Sequence, residues 1–238
     1  MAGQVPKEKL QQLEEDVLAL GTLVEGQLIA AADLLYDTDL EALERLGDEG
    51  RQVHRKRLAI EMGCLSLIAS RRPLDGELRP LVAMVEIAAE LERLADHAQR
   101  VARANYLTAD PQLRQPLASL HRLAAQVQSL LDGALAAFAR RDAVAARAAA
   151  VQVQETETLY LQIRHDLLVV MKGKPRIANQ AIFLSRSAYN LRRAADRVAG
   201  ICDWVVFAVE GSLGATEATR LPEQLVDTAR DPRSGSRI

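Results

Sequence analysis

Aromatic residues are scarce: one Trp, three Phe and four Tyr account for 3% of the 238 residues. Strands draw on aromatic and β-branched side chains, so this composition disfavours a sheet. It also lacks the stacking platforms that hold single-stranded nucleic acid. Cysteine is nearly absent. Cys64 and Cys202 are a lone, distant pair on apolar helical positions, which reads as buried thiols in a reducing compartment. No uninterrupted apolar run reaches the ~18 residues of a spanning helix. The first residues, Met1 to Lys9, contain no apolar stretch of the signal-peptide kind. Formal net charge is only −2, so no global field favours nucleic acid or anionic lipid. What these absences leave is a cytoplasmic protein of packed helices, with no nucleic-acid partner and no membrane insertion. Hydrophobic residues, at 49%, suffice for a core.

The segment Glu86-Ile-Ala-Ala-Glu90-Leu-Glu92-Arg93-Leu94-Ala95-Asp96-His97-Ala98 organises the rest. Met84, Ile87, Leu91, Leu94, Ala98 and Val101 alternate steps of three and four, the spacing of a helical seam. At about 100° per residue, Glu92 and Asp96 lie nearly on one line away from that seam, so both carboxylates are expected to face outward. Like charges at this spacing oppose the helix by about 0.2–0.5 kcal/mol, which a cation or partner would offset. One hundred residues on, Leu191-Arg192-Arg193-Ala194-Ala195-Asp196-Arg197-Val198 repeats the pattern, with Leu, Arg, Ala and Asp in register.

The periodicity predicts six long helices, over about residues 7–36, 40–70, 79–105, 117–140, 142–170 and 177–211. Asp39 and Asp142 are natural N-caps. Pro80 suits a first helical position, Asp110-Pro111 marks the best internal boundary, and Gly211 stops the last helix. Gly47, Gly50 and Gly63 weaken the second helix by about 1 kcal/mol each relative to Ala and mark close approach of another backbone. The fold class is therefore all-α. Two pseudo-symmetric three-helix bundles, residues 1–108 and 109–213, are followed by a polar, patternless tail over 214–238 that is expected to be disordered. A continuous elongated helical array is the alternative.

Three stretches carry a family likeness. Arg72-Pro73-Leu-Asp75-Gly-Glu77-Leu78-Arg79, Glu90-Leu91-Glu92-Arg93-Leu94-Ala95-Asp96-His97-Ala98 and Ile201-Cys202-Asp203-Trp204-Val205-Val206-Phe207-Ala208-Val209-Glu210-Gly211 resemble the PhoU family over roughly residues 8–212. That resemblance implies a non-enzymatic, dimeric regulator that couples a phosphate ABC transporter ATPase to a sensor histidine kinase and represses phosphate-starvation signalling. It also implies iron or zinc, divalent or ferric, held by Glu-x-x-x-Asp pairs and by Asp-x-x-x-Asp on the preceding helix.

Glu92 and Asp96 stand on the Glu-x-x-x-Asp positions of the first bundle. Gly50 and His54 stand where the neighbouring acids belong, so His54 is the candidate extra ligand. In the second bundle Arg192 replaces the Glu, and Asp196 remains, with Glu157 near on the fifth helix. The reading leaves two outcomes, an ion at the first bundle or none. Arg192 and Asp196, at i and i+4, would pair, with the guanidinium standing where a cation sits in relatives. Glu90 and Arg93 are expected to pair on the surface at a few tenths of a kcal/mol. Arg93, Arg100, Arg103, Arg186, Arg193 and Arg197 are candidate partner contacts. The basic cluster Arg51, Arg55, Lys56, Arg57 is a local helix face. Trp204, off the seam, fills a bundle edge or anchors an interface. A di-iron enzyme would need Glu-x-x-His pairs aimed into the core, which this sequence lacks. A generic helical adaptor or metal-binding bundle, PhoU-like in fold but without phosphate signalling, remains the competing function.

Overall fold

Two aspartates fix where the middle helix of each half begins. The Asp39 side chain accepts from the Ala42 backbone N–H at 3.0 Å, and Asp142 accepts from Ala145 at 2.9 Å. Each cap satisfies one of the N–H groups a helix start leaves open. The computed structural model describes residues 6–36, 39–103 and 110–212. Its helices are α1 (Lys7–Asp33), α2 (Leu40–Arg71), α3 (Asp75–Ala102), α4 (Arg114–Arg140), α5 (Ala143–Gly173) and α6 (Ala178–Glu210). Single 3-10 turns at Pro111–Leu113 and Pro175–Ile177 lead into α4 and α6. No strand occurs among the described residues. The turn expected at Asp37-Thr38, the end of the third helix near Asn105 and the tail from Gly214 lie outside them.

Three expectations need correction. The third helix starts at Asp75, so Pro80 lies inside it. The only backbone bond this removes is to the carbonyl of Gly76, which sits at an exposed end where water reaches it. Val209, which the helical spacing of Val198, Cys202 and Val205 would put on the apolar seam of the last helix, is exposed. The glycines of α2 do not admit a backbone: a Cβ at Gly63 would meet the Leu13 side chain at 2.8 Å, and Gly47 has open space. Gly211 does close α6 as expected, in the left-handed region at φ 77°. A Cβ there would lie 2.6 Å from the Arg79 guanidinium carbon, so glycine serves both conformation and space.

In each half the three helices pack around one another, and the halves then join through two antiparallel helix pairs, α1 with α4 and α3 with α6. The apolar core runs unbroken through both, from Val17, Leu28 and Ile87 to Leu131, Leu191 and Val198. The α3–α6 seam follows two-fold logic. Position 90 meets 197 and position 97 meets 190, which is one contact made twice across a repeat of one hundred residues, as in an isologous interface. Gly200 lies on this seam, and a Cβ there would make ordinary contact with the Glu90 side chain at 3.4 Å.

Along α1–α4, Glu14 pairs with Arg141, the Leu135 side chain fills the space over Gly21, and Asp33 accepts from His121 at 3.0 Å. Between these contacts Glu25 faces Asp132. Burial, and then the Asp132 charge and hydrogen bond, push the Glu25 carboxyl up to about 7. The folded-state value lies above the unfolded one near 4.5, so the protonated form stabilises the fold. Stability accordingly falls as pH rises from 4.5 through 7. After allowance for solvent screening of a partly exposed pair, the loss is about 1 kcal/mol. Thermal melts of Glu25→Gln should match the parent near pH 4.5 and exceed it by about 2–4 °C at pH 8. A constant difference across that range would remove the pair from the pH dependence.

Candidate functional site

The candidate metal ligands lie in the groove between the second and third helix of each half. In the first half, a cavity of about 520 Å³ opens between α2 and α3, with Gly50, His54, Glu92 and Asp96 in its lining. Glu92 is half-buried and fully engaged. His54 Nδ1 lies 2.6 Å from its Oε1, and Arg57 Nε lies 3.0 Å from its Oε2. Arg57 also pairs with Glu61. Gln99, one turn beyond Ala95, lays its carboxamide over Gly50, where a Cβ would overlap its Nε2. Asp96 is exposed and enters no ion pair among the described residues. His54 thus does reach Glu92, as a hydrogen-bond partner.

In the second half, Arg192 Nε donates to Glu157 Oε2 at 2.5 Å. The expected pairing of Arg192 with Asp196 is long, at 4.0 Å, and Asp196 accepts instead from Arg193 at 3.0 Å. The Tyr160 ring lies 5.8 Å from the Arg192 guanidinium, within reach of a cation–π attraction.

Neither groove offers the convergent set of nitrogen and oxygen ligands that iron or zinc would need. Among the described residues no three His, Cys, Asp or Glu side chains converge as metal ligands. Both oxygens of Glu92 are committed, one of them to a permanent cation, and a guanidinium lies between the acids of the second groove. The residues present do not fit the metal site that the family likeness implies.

The arginines divide by position. Arg93, Arg100 and Arg186 are exposed, Arg193 is half-buried against Asp196, and Arg197 turns into the α3–α6 seam. The Glu90–Arg93 pair forms at 2.6 Å, but it is not the surface pair expected. Glu90 is 8% exposed because α6 covers it, and Arg197 reaches its other oxygen at 3.4 Å. Beside them His97 is buried and bonded to Asn190 Oδ1 at 3.1 Å. Burial pushes its imidazole below the ordinary value, with Arg100, Arg197 and Arg193 adding to this against the Asn190 hydrogen bond. Burial pushes both thiols, Cys64 and Cys202, up to about 12, so neither is a thiolate at neutral pH. Trp204 packs on the core edge and meets Phe207 edge-on at 5.5 Å.

Sequence reasoning missed Arg57, Gln99 and Tyr160. The offset of 103 between the capping aspartates was the available signal. It pairs Gly50 with Val153, His54 with Glu157 and Arg57 with Tyr160.

Two three-helix units of one design, joined along a two-fold-like seam and open to solvent at charged outer grooves, define a duplicated helical bundle. The PhoU domain profile matches it twice, over residues 17–104 and 120–205. The chain belongs to the PhoU family. It is 28% identical to the phosphate-specific transport system accessory protein PhoU of Edwardsiella tarda over 203 residues, covering 85% of this chain and 84% of that one. The protein of the same name from Escherichia coli K12 is 27% identical over 211 residues, covering 89% and 87%. The crystal structure of PhoU from Pseudomonas aeruginosa superposes with a TM-score of 0.80 at 26% identity, covering 87% of this chain and 99% of that one.

Proposed function

We propose that this chain is a non-enzymatic, cytoplasmic accessory regulator of a phosphate ABC transporter, and that it restrains phosphate-starvation signalling by coupling the transporter ATPase to a sensor histidine kinase. The observation that carries this reading is the family match in both bundles, in relatives named for the phosphate-specific transport system. Among the described residues no helix is long and apolar enough to cross a membrane, which suits an accessory that docks on a transporter. A protein of this kind acts through different affinities for two states of its partners. Arg93, Arg100 and Arg186 are the docking side chains in this reading, because they are exposed on α3 and α6; of the three, Arg93 also holds the buried Glu90. Pairing with a second copy of the chain belongs to the same reading and is checked by mass in solution.

The test is a binding assay of the purified chain against the transporter ATPase and the cytoplasmic part of the kinase. Arg100→Glu with Arg186→Glu, which leaves the Arg93–Glu90 pair in place, is expected to weaken partner binding at least tenfold, about 1.4 kcal/mol, at unchanged melting temperature. A deletion strain should express alkaline phosphatase in phosphate-rich medium. Unchanged phosphatase and no binding to either partner would favour the generic adaptor instead.

A further inference from the structure

We propose that both outer grooves are closed by internal cations instead of a metal ion, with the polarity of the clasp exchanged between the two bundles. Positions 54 and 92 in the first half correspond to 157 and 192 in the second, at offsets of 103 and 100. In the first, the middle helix supplies His54 and the third helix the acid, Glu92. In the second, the middle helix supplies the acid, Glu157, and the third helix the cation, Arg192. The same inter-helix contact is therefore made twice with donor and acceptor exchanged between the helices. The surroundings have changed to match. Arg57 holds the second oxygen of Glu92, whereas its counterpart Tyr160 offers a ring face to Arg192. Gly50 leaves room that the Gln99 carboxamide fills, and the counterpart of Gly50 is the apolar Val153. Each groove keeps a helix-to-helix bridge, and in each a guanidinium occupies carboxylate oxygens that an ion would need. A fixed side-chain cation neutralises these acids at every ion concentration, so the fold of this chain is independent of metal supply.

The experiment uses the full chain purified without chelator, with metal content by mass spectrometry and melting temperature with EDTA, Zn²⁺, Mn²⁺ or Fe³⁺. The parent is expected to carry far less than one ion per chain and to melt at one temperature in all four. Arg192→Glu sets a third carboxylate beside Glu157 and Asp196. It should melt lower in EDTA and recover by about 5 °C when Zn²⁺ or Mn²⁺ is added. Arg57→Gln, which keeps a polar N–H group and removes the charge, is the second variant should the first not fold, and it should gain the same response in the first groove. Doubly neutral Glu157→Gln with Arg192→Gln should fold and ignore the ions. An ion retained by the parent at one per chain, with a melting temperature that falls in EDTA, would overturn the proposal. So would folded Arg192→Glu and Arg57→Gln proteins that both ignore the ions.

Discussion

Glu90→Ala is expected to lower the stability of the whole protein by about 3–5 kcal/mol, the cost of breaking a buried ion pair from one side. For a chain of this size that is a fall of roughly 6–20 °C in melting temperature. The Glu90 side chain is 11% exposed and answers two guanidinium groups, Arg93 on its own helix and Arg197 across the seam. Arg197 is the vulnerable one. Its Nε is buried with no hydrogen-bond partner among the described residues, and its Nη1 reaches only Glu90, so loss of Glu90 leaves a guanidinium between α3 and α6 without a carboxylate. Replacing both ends with apolar residues of similar length, Glu90→Met with Arg197→Met, removes charge and countercharge together and should recover most of the loss. Glu92→Ala provides the contrast. Its partners His54 and Arg57 stand at the groove, where water can take over, and the expected cost is about 1 kcal/mol or less. Chemical denaturation of the four proteins decides the matter. Equal losses for Glu90→Ala and Glu92→Ala would mean that the seam is no drier than the groove.

The contrast between these two glutamates also marks the limit of what the sequence could disclose. Helix boundaries follow from local chemistry, so Asp39, Asp142 and Gly211 were legible where they stand. The seam of α3 was legible because Met84, Ile87, Leu91 and Leu94 repeat at helical spacing, and the second copy of Leu-x-Arg-x-Ala-Asp announced the duplication. Glu90 was not, because the pattern of a single helix separates one apolar face from the rest. It is silent on a second face covered by another bundle, whose contacting residue lies 107 positions away. The same limit applies to Arg57: a basic run on α2 reads as solvated until α3 is known to present Glu92 beside it. Arg192 was legible as a departure from the family pattern, but its true partner, Glu157, is set by how α5 and α6 pack and not by the i, i+4 spacing to Asp196.

Gln27 tests that second-face principle with the opposite sign. It lies on α1 between the core residues Val24 and Leu28, is 0% exposed, and neither its amide nitrogen nor its amide oxygen reaches a partner among the described residues. The cause lies in the packing of α1, which contacts α2, α3 and α4. Three neighbours cover nearly all of its circumference and bury a residue that a single apolar seam would leave outside. An amide buried without hydrogen bonds costs about 1–3 kcal/mol. Gln27→Leu removes both polar atoms at nearly constant volume, which cores tolerate well. The substitution is therefore expected to stabilise the protein by about 1–3 kcal/mol, seen as a rise of roughly 2–12 °C in melting temperature. Gln27→Ala gives up the same polar atoms but leaves a cavity, whose cost of about 2–5 kcal/mol outweighs the gain. The order of melting temperatures should be leucine, then the parent, then alanine. If leucine melts below the parent, the amide has a partner in solution, and Gln27 is then a polar fastening of α1 to its neighbours instead of a residue buried at a loss.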